Sequence, residues 1–130
     1  MQTENLVIAK TEATPEIRFD HASGILELRG ESYPENTAEF YAPVFEWLRA
    51  FLASGSGVSV TVNMEIIYFN SSSSKALMNM FDLLDEAVAK GKKIAVNWIY
   101  DAGNESALEY GEEFKDDLAS LEFNLVEKNA

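Results

Sequence analysis

Residues Val58-Ser59-Val60-Thr61-Val62-Asn63-Met64 alternate apolar and polar side chains without a break, and this constrains the fold more than any other feature. Successive side chains of a strand point to opposite faces, so Val58, Val60, Val62 and Met64 share one face and Ser59, Thr61 and Asn63 the other. A parallel sheet covered on both faces would read as a continuous apolar run instead. The alternation therefore predicts a sheet with helices on one face, the other being wet or covered by a partner. The same period marks Ile17-Arg18-Phe19-Asp20 and Ile25-Leu26-Glu27-Leu28-Arg29, with His21-Ala22-Ser23-Gly24 between them as a hairpin turn. It returns at Ile94, Val96 and Trp98, and at Leu121, Phe123 and Leu125.

The segments between these strands have a helical period. Phe40, Val44, Leu48 and Phe51 form one apolar stripe, preceded by Asn36 and Glu39 at capping-box spacing. Leu77, Met80, Phe81, Leu84 and Val88 form a second, ending near Lys90 with Gly91 as the residue just past the helix. A third helix from about Ser106 to Leu118 turns Leu108, Phe114 and Leu118 inward, and Gly111 weakens it by ~1 kcal/mol. The order β-β-α-β-α-β-α-β predicts an α/β fold: a single mixed sheet of about five strands, right-handed crossovers, and helices mainly on one face. Residues 1–14 read as a lead-in, at most a loosely attached strand around Leu6-Val7-Ile8, and residues 15–130 as a single domain.

Composition narrows the function classes. Ten Lys and Arg against 22 Asp and Glu give a formal net charge of −12, which disfavours nucleic acid and anionic membrane surfaces. There is no cysteine, hence no disulfide framework and no thiolate chemistry. Met1-Gln2-Thr3-Glu4-Asn5 does not read as a signal peptide, and no apolar run approaches the roughly 20 residues that span a bilayer, so a cytoplasmic location is expected. The one histidine, His21, sits in a turn and reads as an ordinary turn residue; no nucleophile elbow, zinc set or Gly-rich phosphate loop accompanies it. The sequence therefore points to no catalytic residue, no metal site and no cofactor. Asp82, Asp85 and Glu86 lie within helical reach of one another and read as a solvated face, or as a surface for a basic partner. Glu112-Glu113 and Asp116-Asp117 admit the same two readings.

Tyr68-Phe69-Asn70-Ser71-Ser72-Ser73-Ser74-Lys75 lies between a strand and the second helix. Serines at a helix start are N-cap candidates, because a hydroxyl accepts from the free N–H groups of the first turn. The same position tolerates a phosphoryl dianion, since helix N-termini carry partial positive charge. Phosphate on Ser71 would add about −1.5 to −2 charge at an exposed point and select between partners.

Two segments carry a family resemblance. Gly30-Glu31-Ser32-Tyr33-Pro34-Glu35-Asn36 resembles the Gly-x-Ser-Tyr-Pro-Glu-Asn motif of the SiaC family of bacterial regulatory phosphoproteins. Phe69-Asn70-Ser71-Ser72-Ser73 with Lys75-Ala76-Leu77-Met78 is similar to that family's Asn-Thr/Ser-Ser-Ser-x-Lys-Ala segment. Phe81–Ala87 and Val96–Asp101 continue the likeness, which spans about residues 14–126. It implies a STAS-like fold and a non-catalytic adaptor in a partner-switching circuit. A Ser/Thr kinase related to anti-sigma-factor kinases would phosphorylate the adaptor, and a PP2C-type phosphatase would remove the phosphate. The unphosphorylated form would activate a diguanylate cyclase, raising cyclic di-GMP and promoting biofilm. The acceptor carried over is Ser71, where the best-known members have Thr, with Ser72 and Ser73 as the neighbouring alternatives. The motif residues Asn70, Ser72, Lys75, Tyr33 and Asn36 are the expected partner surface, and the open sheet face is one for a homodimer. The alternatives are an anti-sigma-factor antagonist acting on an anti-sigma kinase, or a small enzyme using paired carboxylates with a metal.

Overall fold

The computed structural model describes residues 4–54 and 57–128. Six strands form one sheet: β1 (Leu6–Ile8), β2 (Glu16–Asp20), β3 (Ile25–Ser32), β4 (Val60–Phe69), β5 (Ile94–Asp101) and β6 (Glu122–Lys128). Three helices connect the last four of these: α1 (Thr37–Ala53), α2 (Ser71–Ala89) and α3 (Glu105–Asp116). The strand order in space is β1-β2-β3-β4-β5-β6. The first three strands are antiparallel, and β3 to β6 run parallel. Each crossover steps the same way across the sheet, so crossovers of one hand place all three helices on one face.

The sheet has one strand more than the five expected. Leu6 pairs with Phe19 and Ile8 with Ile17, which adds β1 to the antiparallel edge. Two contacts outside the strand hold it there. Trp47 Nε1 donates to the Glu4 carbonyl at 2.6 Å, and Asn5 Oδ1 accepts from the His21 backbone N–H at 3.0 Å. A three-residue strand shows too little period to be counted from sequence.

The alternation holds across the sheet. Ile17, Phe19, Leu26, Leu28, Val60, Val62, Met64, Ile66, Ile94, Val96, Trp98 and Phe123 are buried beneath the helices. On the open face Asn63, Asn97 and Asn124 lie side by side across β4, β5 and β6. Asn97 Nδ2 donates to Asn63 Oδ1 at 2.9 Å, and Asn124 Nδ2 donates to Asn97 Oδ1 at 3.1 Å. Glu65 on the same face binds Arg29 at 2.8 Å and Lys128 at 2.7 Å. At the far end of α2, Gly91 adopts φ 105°, and Lys92 N–H donates back to the Ala87 carbonyl at 3.1 Å, closing the helix as its sequence predicts.

Gly111, a weak helix former, is required by packing. A Cβ on it would sit 2.5 Å from Trp98 Cδ1 and 2.8 Å from Leu125 Cδ2. Its absence lets α3 lie directly on the indole, whose Nε1 donates to the Ala107 carbonyl at 2.8 Å. Gly111→Ala is therefore expected to destabilise. Overpacking costs about 1–3 kcal/mol, against a helix-propensity gain of ~1 kcal/mol. A thermal melt checks the sign; a raised melting temperature would contradict the close approach.

Candidate functional site

The serine stretch forms the first turn of α2, and its cap is Asn70. Asn70 is extended (φ −86°, ψ 177°), and its side chain accepts from Ser73 N–H at 2.9 Å. Its own N–H donates to the Ser32 carbonyl at 3.1 Å, which ties the start of α2 to the end of β3. No serine of the four is the cap, which corrects the expectation from sequence. Asn70→Ala should therefore cost about 0.5–2 kcal/mol, whereas Ser71→Ala should change stability by less than about 0.5 kcal/mol. Urea denaturation of the two variants measures the contrast, and the reverse order would show Ser71 to be the cap.

The four hydroxyls differ sharply in environment. Ser71 and Ser72 are exposed, as is Lys75, and Ser74 is half-buried. Ser73 has 0% exposure. Its Oγ accepts from Ser32 Oγ at 2.8 Å, and Ser32 Oγ lies 2.7 Å from Tyr41 Oη. Glu39 occupies the first turn of α1 and Glu105 that of α3, but no acidic residue occupies the first turn of α2. The positive end of the α2 dipole is thus without an acidic neighbour in its own helix.

α1 and α2 both follow parallel strands, so their N-termini lie at one end. Between them runs a groove of about 920 Å³. Asn36, Ser72 and Lys75 line it, and Asn36 also caps α1 by accepting from Glu39 N–H at 3.0 Å. The structure thus brings three of the expected partner residues together. Asn70 and Ser71 sit at the adjoining helix start. Tyr33 is separate, packing edge-on against Tyr68 with ring centroids 5.7 Å apart.

The sequence reading assigned no role to three features of this region. The Ser32–Tyr41 pair beneath the serines is one. A second is exposed apolar surface: Ile67 is 51% exposed and Tyr68 55% on the strand leading to Ser71, while Tyr110, 43% exposed, lies against Phe69. Its signal was present, because Ile66-Ile67-Tyr68-Phe69 breaks the alternation and some of those side chains must face outward. The register shift between Gly30 and Glu31 is what turns Tyr68 out of step. The third is the set of bonds made by Asp85, which is half-buried and so departs from the solvated-face reading that the exposed Asp82 and Glu86 keep. Asp82 and Glu86 line the groove, while Asp85 Oδ1 accepts from Ser120 N–H at 2.8 Å and Leu121 N–H at 2.7 Å.

Those bonds, Ser120 first, hold the Asp85 carboxyl below its ordinary range. Desolvation, then Asp85, Asp117 and Glu86, push Asp82 upward. A carboxylate whose folded value is lowered stabilises above its unfolded value, and that contribution is lost as pH falls through the folded value. Asp85→Ala should cost about 1–2 kcal/mol at neutral pH. The difference from the parent should shrink once pH drops well below 3.8. Denaturation at neutral and acid pH tests this; a gap of the same size in acid would place the effect elsewhere. Among the described residues no three His, Asp or Glu side chains converge as a metal-binding group. No helix among them is long and apolar enough to cross a membrane.

The family model of SiaC family regulatory phosphoproteins matches residues 8–128, from β1 through β6. This chain belongs to the SiaC family. An uncharacterized protein of Pseudomonas aeruginosa (strain UCBPP-PA14) is 40% identical over 115 residues, covering 88% of this chain and 90% of that protein. The solved structure of SiaC of Pseudomonas aeruginosa superposes with a TM-score of 0.85 at 35% identity, covering 98% of this chain and 99% of that one. A crystal structure of the diguanylate cyclase SiaD in complex with its activator SiaC, also from Pseudomonas aeruginosa, matches with a TM-score of 0.86 at 37% identity, covering 96% and 99%. The single mixed sheet and three helices are thus the architecture of SiaC structures.

Proposed function

We propose that this SiaC family member is a non-catalytic, STAS-like adaptor of a partner-switching module, and that Ser71 is its phosphoacceptor. One observation carries the site: Ser71 is an exposed hydroxyl directly after an Asn cap, at a helix N-terminus with no acidic residue in its first turn. A phosphoryl group there meets unpaired N–H groups and the positive dipole end without disturbing the cap. The relative solved in complex is the activator of a diguanylate cyclase, which supports the same output for this chain. In that reading the unphosphorylated form binds and activates a cyclase in the cytoplasm, raising cyclic di-GMP and biofilm formation. A Ser/Thr kinase related to anti-sigma-factor kinases adds the phosphate, and a PP2C-type phosphatase removes it. Asn36, Ser72 and Lys75 along the groove, with Asn70 at the adjoining helix start and Tyr33 apart from it against Tyr68, are the partner-binding residues of this reading.

Site-resolved mass spectrometry of residues 65–90, on protein recovered from the native host, tests the acceptor. Phosphate on Ser71 is the expected result, and phosphate confined to Ser72 would move the site. Its absence under every growth condition would return the serines to a structural role. Cyclic di-GMP synthesis by SiaD of Pseudomonas aeruginosa, with and without the unphosphorylated protein, tests the output.

A further inference from the structure

We propose that Ser73, Ser32 and Tyr41 form a hydroxyl lock that fixes the register of the first turn of α2 and so determines which serines a modifying enzyme can reach, making Ser32 and Tyr41 positioning residues for the acceptor. The proposal rests on the adaptor reading only in naming Ser71 as that acceptor. Four identical side chains in a row give a helix start no register of their own. A slip by one residue would exchange the hydroxyl facing inward and the hydroxyls facing solvent, because each residue turns the helix by about 100°. The buried stripe of Leu77, Met80, Phe81 and Leu84 sets the rotation of the helix body, and two features carry that register into the first turn. Asn70 takes the Ser73 N–H. The lock takes the Ser73 side chain.

The lock joins three elements. Ser73 belongs to α2, Ser32 is the last residue of β3, and Tyr41 lies on α1. A hydroxyl has one proton to give. Ser32 Oγ donates to Ser73 Oγ at 2.8 Å, so Tyr41 Oη is the donor across the 2.7 Å contact with Ser32. Donation therefore runs from Tyr41 through Ser32 to Ser73. Ser32 and Ser73 are 0% exposed and Tyr41 is 1% exposed, so no member exchanges its partner for bulk water. Burial also pushes the Tyr41 phenol above its ordinary range, which keeps it a donor at neutral pH. Buried hydroxyls left unpaired are unfavourable, and linked ones hold or fail together. With Ser73 pinned inward, Ser71 and Ser72 are presented outward.

The test is amide hydrogen exchange at Ser73 and Ser74, whose N–H groups are bonded to Asn70, in the full chain, comparing the parent with Tyr41→Phe and Ser32→Ala. The amides of α3 serve as internal reference. Removing either hydroxyl should speed exchange in the first turn of α2 about tenfold and leave α3 unchanged. Both variants, recovered from the native host, are then mapped for phosphate. The expected result is phosphate confined to Ser71 in the parent and spread toward Ser72, Ser73 and Ser74 in the variants. Unchanged exchange at Ser73 and Ser74, or an equal rise in α3, overturns the lock. Local loosening with phosphate still confined to Ser71 overturns the positioning role. If the parent carries no phosphate while α2 alone loosens, the lock stands and the acceptor assignment falls. Two variants from different elements keep the test open should one fail to fold.

Discussion

Trp98→Ala should remove about 3–5 kcal/mol of stability, the range for truncating a buried aromatic. Trp98 is 0% exposed on β5 and packs against Phe69, Phe81, Phe114 and Phe123. These rings come from β4, α2, α3 and β6, so one side chain couples two neighbouring strands and two helices. Its truncation leaves a void that the sheet is too rigid to close, and leaves the Ala107 carbonyl without its indole donor. Domains of this kind are stable by about 5–15 kcal/mol, so the loss is a large share of the total. Urea denaturation followed by far-UV circular dichroism measures the loss. A change below about 1 kcal/mol would mean that the indole does not organise the core. Trp98→Phe should cost less, because most of the ring contacts survive.

Stoichiometric phosphate on Ser71 should weaken binding to a cyclase about 100-fold, which corresponds to ~2.7 kcal/mol. The surface around Ser71 supplies the reason. Ile67 and Tyr68, both more than half exposed, lie on the strand that leads into it. An apolar contact over them would have to strip water from a dianion of about −1.5 to −2 charge. The fold itself should be indifferent, since the first turn of α2 holds no acidic residue and the cap is Asn70. Ser71→Ala should bind like the unphosphorylated protein and refuse phosphate. Ser71→Asp carries less charge than phosphate and should weaken binding only in part. Titration calorimetry with SiaD of Pseudomonas aeruginosa gives the four affinities. Equal affinity for the phosphorylated and unphosphorylated forms would remove the switch.

Much of this architecture is legible from side-chain period. The alternation through Val60, Val62 and Met64 predicts which face is covered, and the Asn63–Asn97–Asn124 ladder occupies the other. The α1 cap at Asn36 and the α2 stop at Gly91 are legible for the same reason: they depend on neighbours in sequence. What is not legible depends on neighbours in space. Asn70, not one of the four serines, is the cap, and its backbone N–H is held by Ser32, 38 positions earlier. Gly111 costs its helix something locally and is kept because Trp98 lies against it. Ser32 stands inside a motif read for its family likeness, yet its partners Ser73 and Tyr41 belong to two different helices. Asp85 looks like surface charge until the chain returns with Ser120 and Leu121.

Because the six strands lie in space in the order in which they occur in the chain, every ladder joins consecutive strands. No later strand must be threaded between two that have already paired. The hairpin of β2 and β3 closes a short loop, and each subsequent strand adds to an edge already formed, at the loop-closure cost of one helical crossover. A chain leaving the ribosome could assemble by accretion from its N-terminal side, with only one growing edge open to wrong partners at any moment.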